Sequence, residues 1–163
     1  MACKLDIFIR SEGQTDSNLS VPLGSSFLIV NGRDYSSKSR GINVAVFDQM
    51  TGIYMTGGVY DVKANLANGD KLRDFLVALP NKVIILLAVQ TSGNANNYID
   101  NAKNILAAIG VNNTAIADTE SFAAILCKGP GDYCTVKQSK NSAGNGPSFA
   151  SLTIKLQYGY IPD

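Results

Sequence analysis

Ser39–Asp61 reads SRGINVAVFDQMTGIYMTGGVYD. Within it, Ile42–Phe47 is an almost unbroken apolar run, which predicts a strand buried on both faces. Asp48–Gly52, DQMTG, predicts a turn that ends on glycine. Ile53–Tyr60 predicts a second strand, interrupted by Gly57-Gly58. Paired glycines inside a strand mark a bulge or a close backbone approach.

Working outward, Lys4–Arg10 alternates Leu5, Ile7 and Ile9 with Lys4, Asp6 and Phe8 and predicts another strand. Ser26–Val30 is a strand stopped by Asn31-Gly32, a strong hairpin turn signal. Leu72, Phe75, Leu76 and Leu79 form one apolar stripe, predicting a helix over about Gly69–Leu79 with Asn68 as its N-cap and Pro80 as its stop. Val83–Val89, VIILLAV, is too apolar for an edge strand and should be central. A second helix is expected over about Tyr98–Ile109, closed by Gly110. Phe122–Cys127 and Ser151–Tyr158 are further strands, and Lys128–Pro147 is expected to be a long loop. Two strand–helix–strand units imply right-handed crossovers and some parallel pairing. The expected fold class is α+β, a mixed β sandwich flanked by two main helices, with residues 1–163 forming a single domain.

Composition removes most chemistries. The chain has no histidine, so Ser-His-Asp and Cys-His arrangements and His-ligated metals are excluded. No acidic cluster resembles a calcium site, and no cofactor is implied. The net charge is +1, with Lys and Arg scattered. No basic stripe is available for nucleic acid, and no apolar run is long enough to insert in a membrane. The N-terminus lacks the long apolar segment of a signal peptide. Three cysteines, Cys3, Cys127 and Cys134, leave two readings open. Either Cys127 and Cys134 close a short loop around KGPGDY, or all three are reduced or buried thiols.

An ordered set of motifs carries a resemblance. G-I-N-V-x-V-x-D-x-x-T-G spans Gly41–Gly52 and is followed by Tyr60-Asp61. L-x-x-F-L-x-x-L-P spans Leu72–Pro80, I-x-L-x-A-V spans Ile84–Val89, and A-K-x-x-L-x-x-I-G spans Ala102–Gly110. E-S-F-x-x-x-x-x-K-G spans Glu120–Gly129, and Gly159-Tyr160-Ile161-Pro162 stands near the end. Over roughly Phe27 to Pro162 the chain resembles the interleukin-like epithelial–mesenchymal transition inducer family, also called PANDER-like. The same domain serves as the stem of the protein O-mannose N-acetylglucosaminyltransferase. The resemblance implies a compact β sandwich with helices, no catalytic centre, and relatives that are extracellular. It also implies a site for β-linked N-acetylglucosamine, built from an acidic residue after the central strand and an arginine before an Asp-Thr-Trp motif. By position, the acidic slot falls near Thr91, the arginine slot on Thr119 and the Trp slot on Phe122, so neither charged anchor is kept. The family's late cysteine is here Tyr160, so its disulfide pattern does not carry over.

The resulting site candidates are Gln90, Thr91, Ser92, Asn94, Thr119, Glu120 and Phe122. Amide and hydroxyl side chains at the carboxyl end of a central strand suit sugar hydroxyls, because they both donate and accept. Glu120 could accept from the sugar while Phe122 packs on its ring, although a plain core role is the simpler reading of Phe122. The turn Asn31, Arg33, Asp34 and Tyr35 is a lesser candidate. Asp48 and Asp61 stand at strand ends and could suggest a hydrolytic pair, but turn capping is the simpler account of both. The expected function is metal-independent, non-enzymatic recognition of N-acetylhexosamine or galactose-type sugars on glycans or glycoproteins. Forming a homo-oligomer would strengthen such weak sites. The alternative is a secreted, cytokine-like ligand for a protein receptor.

Overall fold

The computed structural model describes residues 4–129 and 135–156. Nine strands make one mixed sheet: β1 (Lys4–Gly13), β2 (Ser26–Val30), β3 (Arg33–Asp34), β4 (Gly41–Asp48), β5 (Tyr54–Tyr60), β6 (Val83–Thr91), β7 (Ser121–Lys128), β8 (Lys137–Asn141) and β9 (Ser148–Lys155). Helix α1 spans Leu66–Ala78. A 3-10 turn over Tyr98–Ala102 leads into α2, Lys103–Ala108.

The sheet has two wings. One runs β9-β1-β2-β3 and the other β8-β7-β6-β4-β5. They join where the end of β1 pairs in parallel with the end of β6, Glu12 opposite Gln90 and Gly13 opposite Thr91. The expected mixed sheet is therefore present, as a single sheet curled on itself. The first strand–helix–strand unit leaves β5 and β6 on either side of β4, both antiparallel to it. The second, however, joins antiparallel neighbours, β6 and β7.

Strand parity sorts the core into two layers. Ile42, Val44 and Val46 of β4, Ile85, Leu87 and Val89 of β6, and Phe122, Ala124 and Leu126 of β7 pack with Leu72 and Leu76 of α1 and Leu106 of α2. The alternate residues Ala45, Phe47, Ile84, Leu86, Ala88, Ala123 and Ile125 face Leu5, Ile7, Ile9, Leu28 and Ile154 of the other wing. Both faces of β4, β6 and β7 are dry, which explains why they read as continuous apolar runs.

Local signals mostly act where expected. Asn31 and Gly32 both take positive φ, 49° and 82°, as a two-residue hairpin loop needs. Asn31 also fastens β1: its Oδ1 accepts from the Asp6 amide at 2.8 Å. Leu79, before Pro80, is extended (ψ 140°), so α1 ends there. Three expectations are corrected. The residue at the N-cap of α1 is Asn65 and makes no side-chain cap bond, whereas Asn68 Nδ2 donates to the Asp61 carbonyl. The second helix is divided into a 3-10 turn and six α-helical residues. Residues 137–141, expected to be loop, form β8. The glycine pair does mark a close approach: a Cβ on Gly57 would lie 2.6 Å from the Val44 carbonyl oxygen. The register shift falls elsewhere, beside Phe47. Cys127 is disulfide-bonded. Cys3 and Cys134 lie outside the described residues, as do Tyr158 and Tyr160.

A row of buried serines closes the seam between the wings. Ser11 lies opposite Ser26 on one side and Ser148 on the other. All three, with Ser121 of the opposite wing, are fully buried. Ser11 Oγ donates to the Val89 carbonyl at 2.6 Å and accepts from the Phe122 amide at 2.9 Å. Ser121 and Ser148 share a hydroxyl hydrogen bond of 2.7 Å.

Two charged side chains hold elements in place. Lys128 Nζ, at the end of β7, donates to the carbonyls of Leu76, Val77 and Leu79, capping α1 with a cation at its negative end. Glu12 is fully buried. It pairs with Arg10 Nε at 2.7 Å and accepts from the amides of Ser20 and Ser25 at 3.0 Å each. Burial pushes its carboxyl up, but the bonds from Ser20, Arg10 and Ser25 together outweigh it, so the acid lies below its ordinary 4.5. Replacing Lys128 by Met should lower the unfolding free energy by about 1–3 kcal/mol, measured by urea denaturation. Glu12→Gln should cost about 2 kcal/mol at neutral pH. Because the folded carboxyl is the stronger acid, its contribution is complete above pH 4.5 and vanishes as pH falls through the folded value. The stability gap between parent and variant should therefore close under acid.

Candidate functional site

At the carboxyl end of β6 the chain turns sharply, and the site is built there. Thr91 and Thr119 are β-branched residues with positive φ, 67° and 62°. Such a conformation costs on the order of 1–3 kcal/mol and persists only where neighbours impose it. Here the end of β1 does so. The Gln14 amide donates to the Thr91 carbonyl at 2.8 Å, and Thr91 Oγ1 donates to the Leu23 carbonyl at 2.9 Å. Gly13 lies so close to Thr119 that a Cβ would stand 1.9 Å from its carbonyl oxygen. Both threonines are thus clamped against one strand end.

Beside them opens a cleft of about 590 Å³, lined by Gln14, Val21, Leu23, Gly24, Arg40, Asp61, Gln90 and Thr91. Its lip is the loop that Glu12 fastens through Ser20 and Ser25. Val21 and Leu23 expose about half of their surface there, 49% and 57%. Arg40 Nη2 pairs with Asp61 Oδ2 at 2.8 Å. A second pair follows: Lys63 Nζ meets Asp118 Oδ1 at 3.1 Å, and Ser92 Oγ donates to the same oxygen at 2.5 Å. Asp118 is half exposed. Partial burial pushes its carboxyl up, yet Ser92 and Lys63 outweigh that and hold it below its ordinary 3.8. The Arg40 guanidinium is held above its ordinary range, chiefly by the bond it donates to Asp61 and with a smaller contribution from Asp118. Two ion pairs therefore share one field around Thr91-Ser92.

The candidates read from the sequence play different parts here. Gln90 and Thr91 line the cleft, and Gln90 Oε1 accepts from Ser26 at 2.9 Å. Ser92 is fully buried and orients Asp118. Asn94 is 4% exposed; its Nδ2 donates to the Ile116 carbonyl and its Oδ1 accepts from the Ile99 amide, so it braces the loop. Thr119 Oγ1 accepts a long bond from Thr15. Glu120 accepts from the Ala117 amide at 2.9 Å and pairs with Lys140 at 3.5 Å. Phe122 is 2% exposed within the core under the helices, so its ring offers no open face for a sugar. In the lesser candidate turn, Arg33 sits over Tyr35, which stacks on Tyr54, and Asp34 pairs with Lys38 at 2.8 Å.

Asp48 and Asp61 lie at opposite ends of the eight-residue strand β4. Strand rise places them about 20 Å apart, beyond the roughly 5–9.5 Å of a glycosidase pair. Asp48 instead caps its turn, accepting from the Thr51 amide at 2.7 Å. Sequence reasoning missed Arg40, Lys63 and Asp118. Asp118 was the most accessible of these, one residue before the Thr119 slot.

Among the described residues, no three His, Cys, Asp or Glu side chains converge as a metal site would need, and no helix is long and apolar enough to cross a membrane. No curated protein matches the chain. The sequence profile of the interleukin-like EMT inducer matches residues 40–130, from Arg40 of the cleft to the end of β7. This is not a known enzymatic family. The match takes in β4 through β7 with both helices and spans more than half of the sequence; the chain belongs to the interleukin-like EMT inducer family.

Proposed function

We propose that the protein is a non-enzymatic, metal-independent lectin that holds an N-acetylhexosamine or galactose-type sugar across the Arg40–Thr91 cleft and the Lys63–Asp118 pair beside it. The observation that carries this reading is the Lys63–Asp118 pair, bound through Ser92 next to Thr119. A cation and a carboxylate are the anchors that a polyhydroxylated ring calls for. Here the carboxylate is Asp118, next to Thr119, and the cation is Lys63, which pairs with it. Asp118 accepts from sugar hydroxyls, Arg40 and Lys63 donate, and Leu23 and Val21 cover the ring's C–H face. The two strained threonines support the same reading, since such conformations gather at binding sites. The separation of Asp48 and Asp61 removes the hydrolytic pair that the sequence suggested.

Calorimetry with N-acetylglucosamine, N-acetylgalactosamine and methyl galactosides is the direct test. Asp118→Asn and Lys63→Met should each weaken the best ligand about tenfold or more, each lost charged hydrogen bond being worth about 1.5–3 kcal/mol. Affinity unchanged in both variants would sink the proposal. The pH profile gives a separate check. With no histidine in the chain and Asp118 held below 3.8, affinity should be level from about pH 8 to pH 5. Because that carboxyl is depressed, its contribution is present above 3.8 and fades only as the pH falls through the lower folded value. A midpoint near pH 6 would contradict the assignment.

A further inference from the structure

The outer face of the β9-β1-β2 wing carries a feature that the cleft does not use. Side chains of β1 alternate, so Asp6, Phe8 and Arg10 point away from the core. Phe8 lies opposite Ser151 of β9 and Ile29 of β2, Arg10 opposite Phe149, and Asp6 opposite Thr153. Phe8 and Phe149 are 40% and 46% exposed, with ring centroids 6.0 Å apart and tilted by 41°. Arg10 fixes this pair. Its guanidinium sits 5.2 Å over the Phe149 ring while Nε is held by buried Glu12 and Nη2 by the Asn18 carbonyl. Beside the rings is a shallow depression of about 510 Å³, walled by Asp6, Phe8, Ile29, Ser151 and Thr153. That volume falls within the roughly 300–1,000 Å³ of small-molecule sites. Gly32 at its edge leaves the space open.

We infer that this face is a second carbohydrate subsite, in which a pyranose stacks its C–H face on Phe8 and Phe149 and gives its hydroxyls to Asp6, Ser151 and Thr153. Exposed aromatic rings next to a carboxylate and hydroxyls complement a neutral ligand that is apolar on one face and hydroxylated at its rim. Asp6 already accepts from Thr153 Oγ1 at 2.8 Å and pairs with Lys4 at 3.2 Å, so it stays ionised and oriented. A central carboxylate disfavours phosphate, and Arg10, committed to Glu12 and Asn18, offers little to a nucleic acid backbone. Asp6 and Gly13 are seven residues apart on β1, so the two sites are about 20 Å apart along that strand. One chain could then bridge two glycans.

The test is NMR titration of the intact protein with a β-linked N-acetylglucosamine disaccharide and with lactose. Ring resonances of Phe8 and Phe149 report this face, and Thr91 and Asp118 report the cleft. The expected result is saturable shifts at Phe8 and Phe149 that persist in Asp118→Asn. In Phe8→Ala/Phe149→Ala, binding at this face should be at least about tenfold weaker, with the circular dichroism unchanged. Phe8→Tyr should restore binding when Phe149 is kept, which a misfolded variant would not do. Shifts confined to this face would support the subsite and overturn the cleft reading. Shifts confined to the cleft would overturn the subsite and leave the lectin proposal intact. No shift at either with millimolar sugar overturns both. Shifts that follow protein concentration instead of sugar would mark a contact between copies and overturn the subsite.

Discussion

The hydroxyl of Ser11 is the point on which the fold turns. It donates to Val89 of β6 and accepts from Phe122 of β7, while its strand still runs in the opposite wing. Only a small side chain with both a donor and an acceptor can satisfy a backbone carbonyl and a backbone amide at once in a dry seam. An aliphatic side chain there would leave both groups orphaned, at a cost of about 1–3 kcal/mol each. The flanking serines repeat the solution on a smaller scale. Because the seam closes, Glu12 and Gly13 reach Gln90 and Thr91, and the strained threonines are held. The cleft is thus an outcome of how the two wings meet, and its shape depends on residues that never touch a ligand.

The division of labour between apolar and charged groups follows from the same geometry. Three strands with both faces dry supply the burial, and they leave no place for charge except at their ends. The charged residues in and beside the cleft accordingly sit at strand ends or in the loops next to them: Arg40 before β4 and Asp61 after β5 in the cleft, and Asp118 before β7 beside it. At the opposite end of the molecule Lys128 meets the last turn of α1 in the same way. Electrostatics here organises loops and termini around a core that owes it nothing.

Much of the architecture was legible because local chemistry and tertiary environment agree. The alternation of Lys4–Arg10, the Asn31-Gly32 turn and the Pro80 stop each have one dominant cause. The dry strands were legible through their apolar runs, though periodicity could not say which residue faces which layer. Strand β8, KQSKN, was not legible. It has no apolar alternation and exists because β7 offers an edge and because Gln138 and Lys140 reach the carbonyls of Gly110 and Ala115. The site was half legible. Loop position pointed to Gln90 and Thr91, whereas Asp118 pairs with Lys63 from 55 residues away, a separation that no local pattern encodes. Polarity suggested that Ser92 and Asn94 were open to a ligand. Their burial shows that buried polar groups serve the loop before anything outside it.

The place of β1 between β2 and β9 bears on how the chain acquires its shape. Lys4 lies opposite Lys155 and Ser11 opposite Ser148, so β1 finds one of its neighbours only when β9 has been made. Pairings of such long sequence separation are slow to form. During synthesis, β1 and β2 must wait as a hairpin with an open edge, while β4 to β7 can already condense with their helices. The aromatic platform of Phe8 and Phe149 belongs to that late step. It takes rings from two strands far apart in sequence and comes into being only when β9 has joined β1.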